Sequence, residues 1–326
     1  MKLHAPFIQL PLQFDAGRLA AEVGTFTAQE WRPHPQRLPG NFALPLVTAY
    51  GNPESEAVIG PMHPTPYLER CPYLVQVLAR LGAVWGRIRL MRLAGHAEVS
   101  PHADLSYYWR ERVRVHVPII TYPEVRFLCG DAEVNMGPGE CWIFDTWREH
   151  RVINASHHER IHLVADTVGS ADFWDLVGHG HEFGTPADAW TAQRWIPATE
   201  QVPALRFESV NVPTVMTPWE LREHIAFLLR DVRPHPQLDL AQRVAARFTA
   251  DWQGLWAQFG EDPRGWPAYR TTINAFESQM ELCAAPLVLI NNVPFMRALR
   301  ATVLSAALMD QPRRQHSGQA QAAARA

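Results

Sequence analysis

From residue 85 to residue 166 the chain alternates apolar and polar residues in short runs. The runs are "WGRIRLMRL" (85–93), "RVRVHVPII" (112–120), "VRFLCG" (125–130), "CWIFD" (141–145), "HRVIN" (150–154) and "RIHLVAD" (160–166). A period of two is that of a strand with one face buried. The connections are tight, as in the turn "NMGPGE" at 135–140. Many short strands joined this way predict a mainly β core built as a double-stranded β-helix, of the jelly-roll or cupin type.

The flanks read as helix. Residues 16–31 form an amphipathic pattern, and "CPYLVQVLARLGAVW" sets Leu74, Val77, Leu78 and Leu81 on one helical face. A further strand is expected at 42–49. Beyond about residue 170 the strand pattern fades. "TPWELREHIAFLLR" opens with Thr217 as N-cap, Pro218 in the first helical position and Glu220 completing a capping box. Helical patterns recur near 239–258, 267–283 and 293–309. The expected organisation is a jelly-roll domain over 1–175, a linker over 176–200, a mainly α-helical domain over 200–312 and a disordered tail over 313–326.

Composition narrows the partners. The chain is 47% hydrophobic and 19% charged, as expected of a globular protein with a sizeable core. A net charge of −3 gives no electrostatic reason for nucleic acid or an anionic membrane. Lys2 is the single lysine, so the basic charge is almost all arginine, a bias that fits a GC-rich bacterial genome and suits carboxylate binding. The four cysteines are scattered without a CxxC pair and are expected as reduced core residues. The N-terminal run is broken by Pro, Gln and Asp, and no stretch reaches the ~18 apolar residues of a membrane span. A cytoplasmic location is expected.

The chemistry centres on "SPHADLSYYW". Residues two apart on a strand point to one side, so His102 and Asp104 could meet on one ion. An HxD triplet alone is also an ordinary turn histidine with a capping aspartate. His150 lies 46 residues beyond Asp104, between two strand patterns, and offers a third donor. Two histidines and one carboxylate on one face leave coordination positions open, as in non-haem Fe(II) oxygenases.

Cations lie nearby. Alternation puts Arg160, His162, Val164 and Asp166 on one face of their strand, and Arg112, Arg114 and His116 on one face of theirs. Unpaired buried charge is costly. The cluster makes sense if a dianion or protein carboxylates sit among these residues; a solvated sheet face is the other reading.

"PHADLSYYWRERVRVHVPI", "GECWIFDTWREHRVIN" and "RIHLVAD" together resemble the aspartyl/asparaginyl β-hydroxylase family of Fe(II)- and 2-oxoglutarate-dependent oxygenases, and also the bacterial proline hydroxylases. The resemblance covers roughly residues 80–170. It implies a hydroxylase of an amino acid, free, in a peptide or carrier-bound, with Fe(II) as cofactor and 2-oxoglutarate and O₂ as cosubstrates. Carried over by position, it implies His102 and His150 as iron ligands. Arg160 would pair with the distal carboxylate of 2-oxoglutarate, and Arg114 and His116 would approach the cosubstrate. Asp104 matches the proline-hydroxylase version of the ligand set, and a serine that holds cosubstrate in animal members has no counterpart in "RIRLMRL".

Two other classes share the fold expectation. One is a cupin-type metal enzyme that uses no 2-oxoglutarate; the other is a non-catalytic scaffold that binds metal or 2-oxoglutarate. "HHER" (157–160) reads as a solvent-facing loop and "GHGHEF" (178–183) as a loop near the substrate mouth. Tyr107, Tyr108, Trp109 and Trp147 are open between pocket and packing, and His162 is a neighbour for Arg160. The helical domain is expected to bind a larger substrate or to form a homodimer.

Overall fold

The computed structural model describes residues 1–35, 38–186 and 190–309; the tail expected over 313–326 lies outside them. The strands are β1 (Phe7–Gln13), β2 (Arg32–Pro33), β3 (Asn41–Ala49), β4 (Met62–Pro64), β5 (Val84–Leu93), β6 (Glu98–His102), β7 (Val113–Ile120), β8 (Val125–Cys129), β9 (Ala132–Val134), β10 (Glu140–Phe144), β11 (His150–Asn154), β12 (Arg160–Gly169), β13 (His181–Glu182), β14 (Gln193–Arg194) and β15 (Arg206–Phe207). The principal helices are α1 (Ala16–Val23), α2 (Pro72–Leu81), α3 (Tyr107–Arg110), α4 (Ala171–Gly178), α5 (Pro218–Arg230), α6 (Leu238–Phe259), α7 (Trp266–Ala284) and α8 (Phe295–Leu299).

Strands β5 to β12 build the core. One sheet runs β10-β7-β12-β5 and the other β6-β11-β8-β9. Pairing within these two groups is antiparallel throughout. The chain crosses from one sheet to the other as it advances, which is the double-stranded β-helix predicted from the alternation. The larger sheet continues through β3 and β2 beyond β5, and through β1 and β13 beyond β10.

The sheets enclose an apolar layer. Phe7, Leu93, Trp142 and Phe144 of one sheet meet Val125, Phe127, Cys129 and Val152 of the other. The opposite face of β5 and β7 is apolar as well: Ile88, Leu90, Val113, Val115 and Val117 are fully buried, and α1 packs on β7. These two strands therefore put mainly aliphatic residues outward, with Arg92 over the Trp31 and Phe42 rings, and turn Arg87, Arg89, Arg114 and His116 inward, between the sheets. The turn into β10 needs Gly139. Its φ is +79°, and a Cβ there would stand 2.2 Å from the Phe14 carbonyl oxygen.

Local signals explain several helix ends. Asp15 caps α1 by accepting from Arg18 N–H, and α1 stops at Gly24, shorter than the pattern over 16–31 suggests. Residues 28–30 form a separate 3₁₀ turn. Gly82 ends α2 in the left-handed conformation. Thr217 caps α5 by accepting from Glu220 N–H, as expected, while the Glu220 carboxylate accepts from the Tyr107 hydroxyl. The four cysteines are free and buried.

The chain divides into two compact units, residues 1–103 with 111–211, and residues 104–110 with 212 onward. The stretch 176–200 lies within the first, where β13 and β14 pair with β1. His181 stacks on Trp190 there, an ordered arrangement where a loop was expected. In the second unit Phe248 stacks on Phe276, and Trp252 donates to the Met216 carbonyl. Tyr108 and Trp109 are buried, and Arg110 lies over the Phe227 ring. Among the described residues no helix is long and apolar enough to cross a membrane.

Candidate functional site

His102 ends β6 and His150 begins β11, and the two are register partners. The register shifts by one residue between His150 and Val152, a bulge beside the site. The ring centroids stand 4.2 Å apart. Asp104 follows in irregular chain rather than on the strand, so the same-face argument from strand geometry does not apply to it. One ligand atom from each of His102, Asp104 and His150 nonetheless falls within 4.8 Å of the others.

The backbone sets the imidazoles. His102 Nδ1–H donates to the Ser100 carbonyl at 2.8 Å, and His150 Nδ1–H donates to the Arg148 carbonyl at 3.0 Å. A carbonyl can only accept, so both rings carry a proton on Nδ1, which leaves Nε2 as the atom that can bind a metal. Histidine metal ligands are commonly oriented in this way.

Asp145 holds the turn before His150, a function that strand periodicity does not reveal. Its carboxylate accepts from Trp147 N–H at 3.0 Å and from Arg148 Nε–H at 3.0 Å. Arg148 N–H in turn donates to the Asp145 carbonyl. Asp145 is fully buried, and burial pushes its carboxyl up, opposed by these hydrogen bonds and by the Arg148 charge. The "FD" ahead of the histidine was its only sequence signal.

Arg160, His162 and His116 form a second group, from β12 and β7. Arg160 Nη2 donates to His162 Nδ1 at 2.6 Å, so His162 accepts at that atom and keeps its proton on Nε2. His116 and His162 approach through their Nδ1 atoms at 3.5 Å. Phe127 and Phe144 pack edge-on against the His116 ring. Burial holds both imidazoles well below their usual range, and the Arg160 charge adds to the effect. Burial also brings Arg160 down to about 9, leaving it charged at neutral pH. Arg160 is 4% exposed, and among the described residues no carboxylate forms an ion pair with it. Arg160 Nε, His116 Nε2 and His162 Nε2 are buried without hydrogen-bond partners among those residues.

The other inward arginines meet protein carboxylates, one of the two outcomes expected from the cation pattern. Arg114 Nε donates to Asp166 Oδ1 at 3.0 Å. Arg112 Nε donates to Glu208 Oε1 at 2.8 Å. Arg87 and Arg89 of β5 belong to the same inward layer, and sequence reading did not single them out. His34 faces this layer; burial first, then Arg89, Arg87, His102 and Arg114, hold its imidazole down to about 3. Trp147 is buried in the turn, and His157, His158 and Glu159 are exposed, as expected of that loop.

Residues 60–169 match the sequence model of a family described as Aspartyl/Asparaginyl beta-hydroxylase. That segment includes His102, Asp104, His150 and Arg160. No curated protein matches the chain. Among solved structures, the chain is similar to an oxidoreductase of the 2OG-Fe(II) oxygenase family from Burkholderia pseudomallei, at 12% identity over 48% of this chain and 80% of that one, with a TM-score of 0.37. It is similar to a prolyl-4-hydroxylase from Pseudomonas putida at 16% identity, 50% and 92% coverage, and a TM-score of 0.35. A cupin-superfamily sugar phosphate isomerase from Silicibacter pomeroyi is similar at 23% identity, 25% and 49% coverage, and a TM-score of 0.20.

Proposed function

With residues 60–169 matching the aspartyl/asparaginyl β-hydroxylase family as premise, we propose that the chain is a 2-oxoglutarate-dependent hydroxylase acting on an unactivated C–H bond of an amino acid, free, in a peptide or carrier-bound. The observation that carries the reading is the pair of neighbouring groups: a His102–Asp104–His150 donor set, and a buried Arg160 guanidinium that pairs with no described carboxylate.

The donor set fits ferrous iron. Two imidazoles and one carboxylate match the 2-His-1-carboxylate triad, and three protein donors leave sites for other ligands. The Arg160 group fits one end of a dicarboxylate. A guanidinium fork pairs with two carboxylate oxygens at once. His116 and His162 are neutral beside it, and their Nε2 atoms have no hydrogen-bond partner among the described residues.

When bound, iron with O₂ and 2-oxoglutarate supplies the oxidising chemistry, giving succinate, CO₂ and a hydroxylated product. The chain supplies placement. His102 and His150 direct Nε2 because Nδ1–H is held by backbone carbonyls. Asp145 fixes the turn from which His150 projects. Arg160 binds and orients the far carboxylate, and Phe127 and Phe144 exclude water around His116. This buried anion cradle favours 2-oxoglutarate use over the cupin-type alternative, which needs no such cation.

The test is aerobic incubation of the purified protein with Fe(II), 2-oxoglutarate and a panel of amino acids and peptides, with succinate and products followed by mass spectrometry. Substrate-stimulated succinate with a product heavier by one oxygen atom is expected. Absence of a charge-transfer band on anaerobic mixing with Fe(II) and 2-oxoglutarate would overturn the reading.

A further inference from the structure

His96 and His157 meet on the surface of the first compact unit, at the opposite end of β6 and β11 from His102 and His150. His96 Nε2 and His157 Nδ1 stand 2.8 Å apart, with ring centroids 4.4 Å apart and ring planes at 85°. Both side chains are exposed. Glu98 and His102 bound β6. Four residues of strand, about 13 Å, therefore lie between the two histidine pairs, and one ion cannot serve both.

The backbone brings this pair together. His96 has φ +59°, a left-handed conformation that few non-glycine residues adopt. A Cβ on Gly95 would stand 2.6 Å from the carbonyl carbon and oxygen of His157, so glycine lets the two loops approach this closely. His96 N–H donates to the Ser156 carbonyl at 3.1 Å. Asn154 is fully buried, and its Nδ2 donates to the carbonyls of Leu93, Ala94 and His158 at 3.2, 3.0 and 2.8 Å. One side chain thus holds both loops. Neighbouring donors are turned elsewhere. Glu159 lies 3.6 Å from Arg92, Glu98 pairs with Arg151 at 2.7 Å, and the His158 ring lies 4.9 Å from the Tyr122 ring.

Two imidazole nitrogens bound to one ion at about 2.0–2.1 Å are about 2.9 Å apart at neighbouring corners of a square or octahedron, and about 3.3–3.4 Å apart in a tetrahedron. The observed 2.8 Å fits the first case. We propose that His96 and His157 form a second metal site, which takes a divalent transition ion of tetragonal or octahedral preference, Cu(II) or Ni(II), with water in the remaining positions. In the metal-free pair one of the two facing nitrogens carries the shared proton. On binding, that proton moves through solvent to the other nitrogen of its own ring, so each ring coordinates as a neutral imidazole. A turn of the two exposed rings aims both lone pairs at the ion. The site is structural. His96 lies three residues after Leu93 and His157 three before Arg160, and Leu93 and Arg160 are register partners. The ion braces the end of β5 and β12 from which Arg160 projects.

The experiment is equilibrium dialysis of the full metal-free chain against Cu(II), repeated with Ni(II), counting the ions bound. His96→Asn, which suits the left-handed backbone, and His157→Gln should each lose one bound ion. Affinity at that site should fall about 100-fold or more, beyond the cost of losing a ligand's orienting partner. The double variant should lose no more than either single one, because both residues serve one ion. His158→Gln should keep it. On the unaltered protein, Cu(II) should protect His96 and His157 together from carbethoxylation by diethyl pyrocarbonate, read by mass spectrometry, so the proposal is decided even if a variant fails to fold. An unchanged ion count in either single variant, additive losses in the double variant, loss of the ion in His158→Gln, or modification of either histidine undiminished by Cu(II) overturns the proposal. None of these outcomes depends on the hydroxylase reading.

Discussion

Arg160 donates to His162 Nδ1 at 2.6 Å, and that contact sets a buried charge against a ring that must stay neutral. If His162 gained a proton it would lose its acceptor and face the guanidinium as a like charge. The anion that satisfies this arginine has to come from outside the described residues.

Replacing Arg160 with glutamine keeps a donor for His162 and removes the charge. Affinity for 2-oxoglutarate should fall by about 100-fold or more, because a charge-assisted bidentate pair is lost. Metal binding alone should persist. Mn(II) titration with and without 2-oxoglutarate separates the two, and equal 2-oxoglutarate affinity in the variant would refute the assignment.

Asp145→Asn tests the turn that carries His150. The variant loses the charged pairing with Arg148 and loosens the carbonyl that orients the imidazole. Metal affinity should weaken about 10- to 100-fold, as for other residues that orient ligands. Co(II) absorption titration reads this directly. An unchanged dissociation constant would show that the turn is held by other contacts.

Stability should depend on pH in one direction over one window. His116 and His162 stay neutral in the folded protein, while in the unfolded chain they take up protons near pH 6.5. The unfolded state therefore binds more protons below that value. Stability should fall as pH drops below about 6.5, by up to about 1.4 kcal/mol per pH unit for each ring, and this contribution should be constant above about pH 7. Urea midpoints of the metal-free protein at pH 7.5, 6.5 and 5.5 check this, and His162→Asn should flatten the slope.

Gly139→Ala should destabilise the barrel by roughly 1–3 kcal/mol or more, since the side chain meets both a left-handed backbone and the Phe14 carbonyl. Equilibrium unfolding is the measurement. A variant within experimental error of the parent would mean that the β1 strand end yields easily.

Most of the strands were legible because apolar and polar residues alternate along them, and a period of two is visible in five residues. "HRVIN" and the start of "RIHLVAD" coincide with β11 and β12, so His150 and Arg160 were found at strand starts. Asp104 was found by spacing for a reason that did not hold, since it lies beyond the end of β6. Periodicity says which residues share a face, not which face turns inward. The charges of β5 were therefore unreadable until β5 was seen between β12 and β3, and Arg89 was missed. Asp145 acts through a turn, which leaves no repeating trace. The pattern over 16–31 overran α1 because Gly24 ends the helix after two turns, a stop that amphipathicity alone does not mark.

The pairing of β6 with β11 also determines when the metal can be held. His102 and Asp104 are close neighbours in any conformation, but His150 joins them only after a long loop has closed. An ion added to the folded chain acts as a removable cross-link across that loop and stabilises by mass action. Dissociation of the metal would then report local opening of this strand pair, and exchange rates of the bound ion would serve as a clock for the breathing of the barrel mouth.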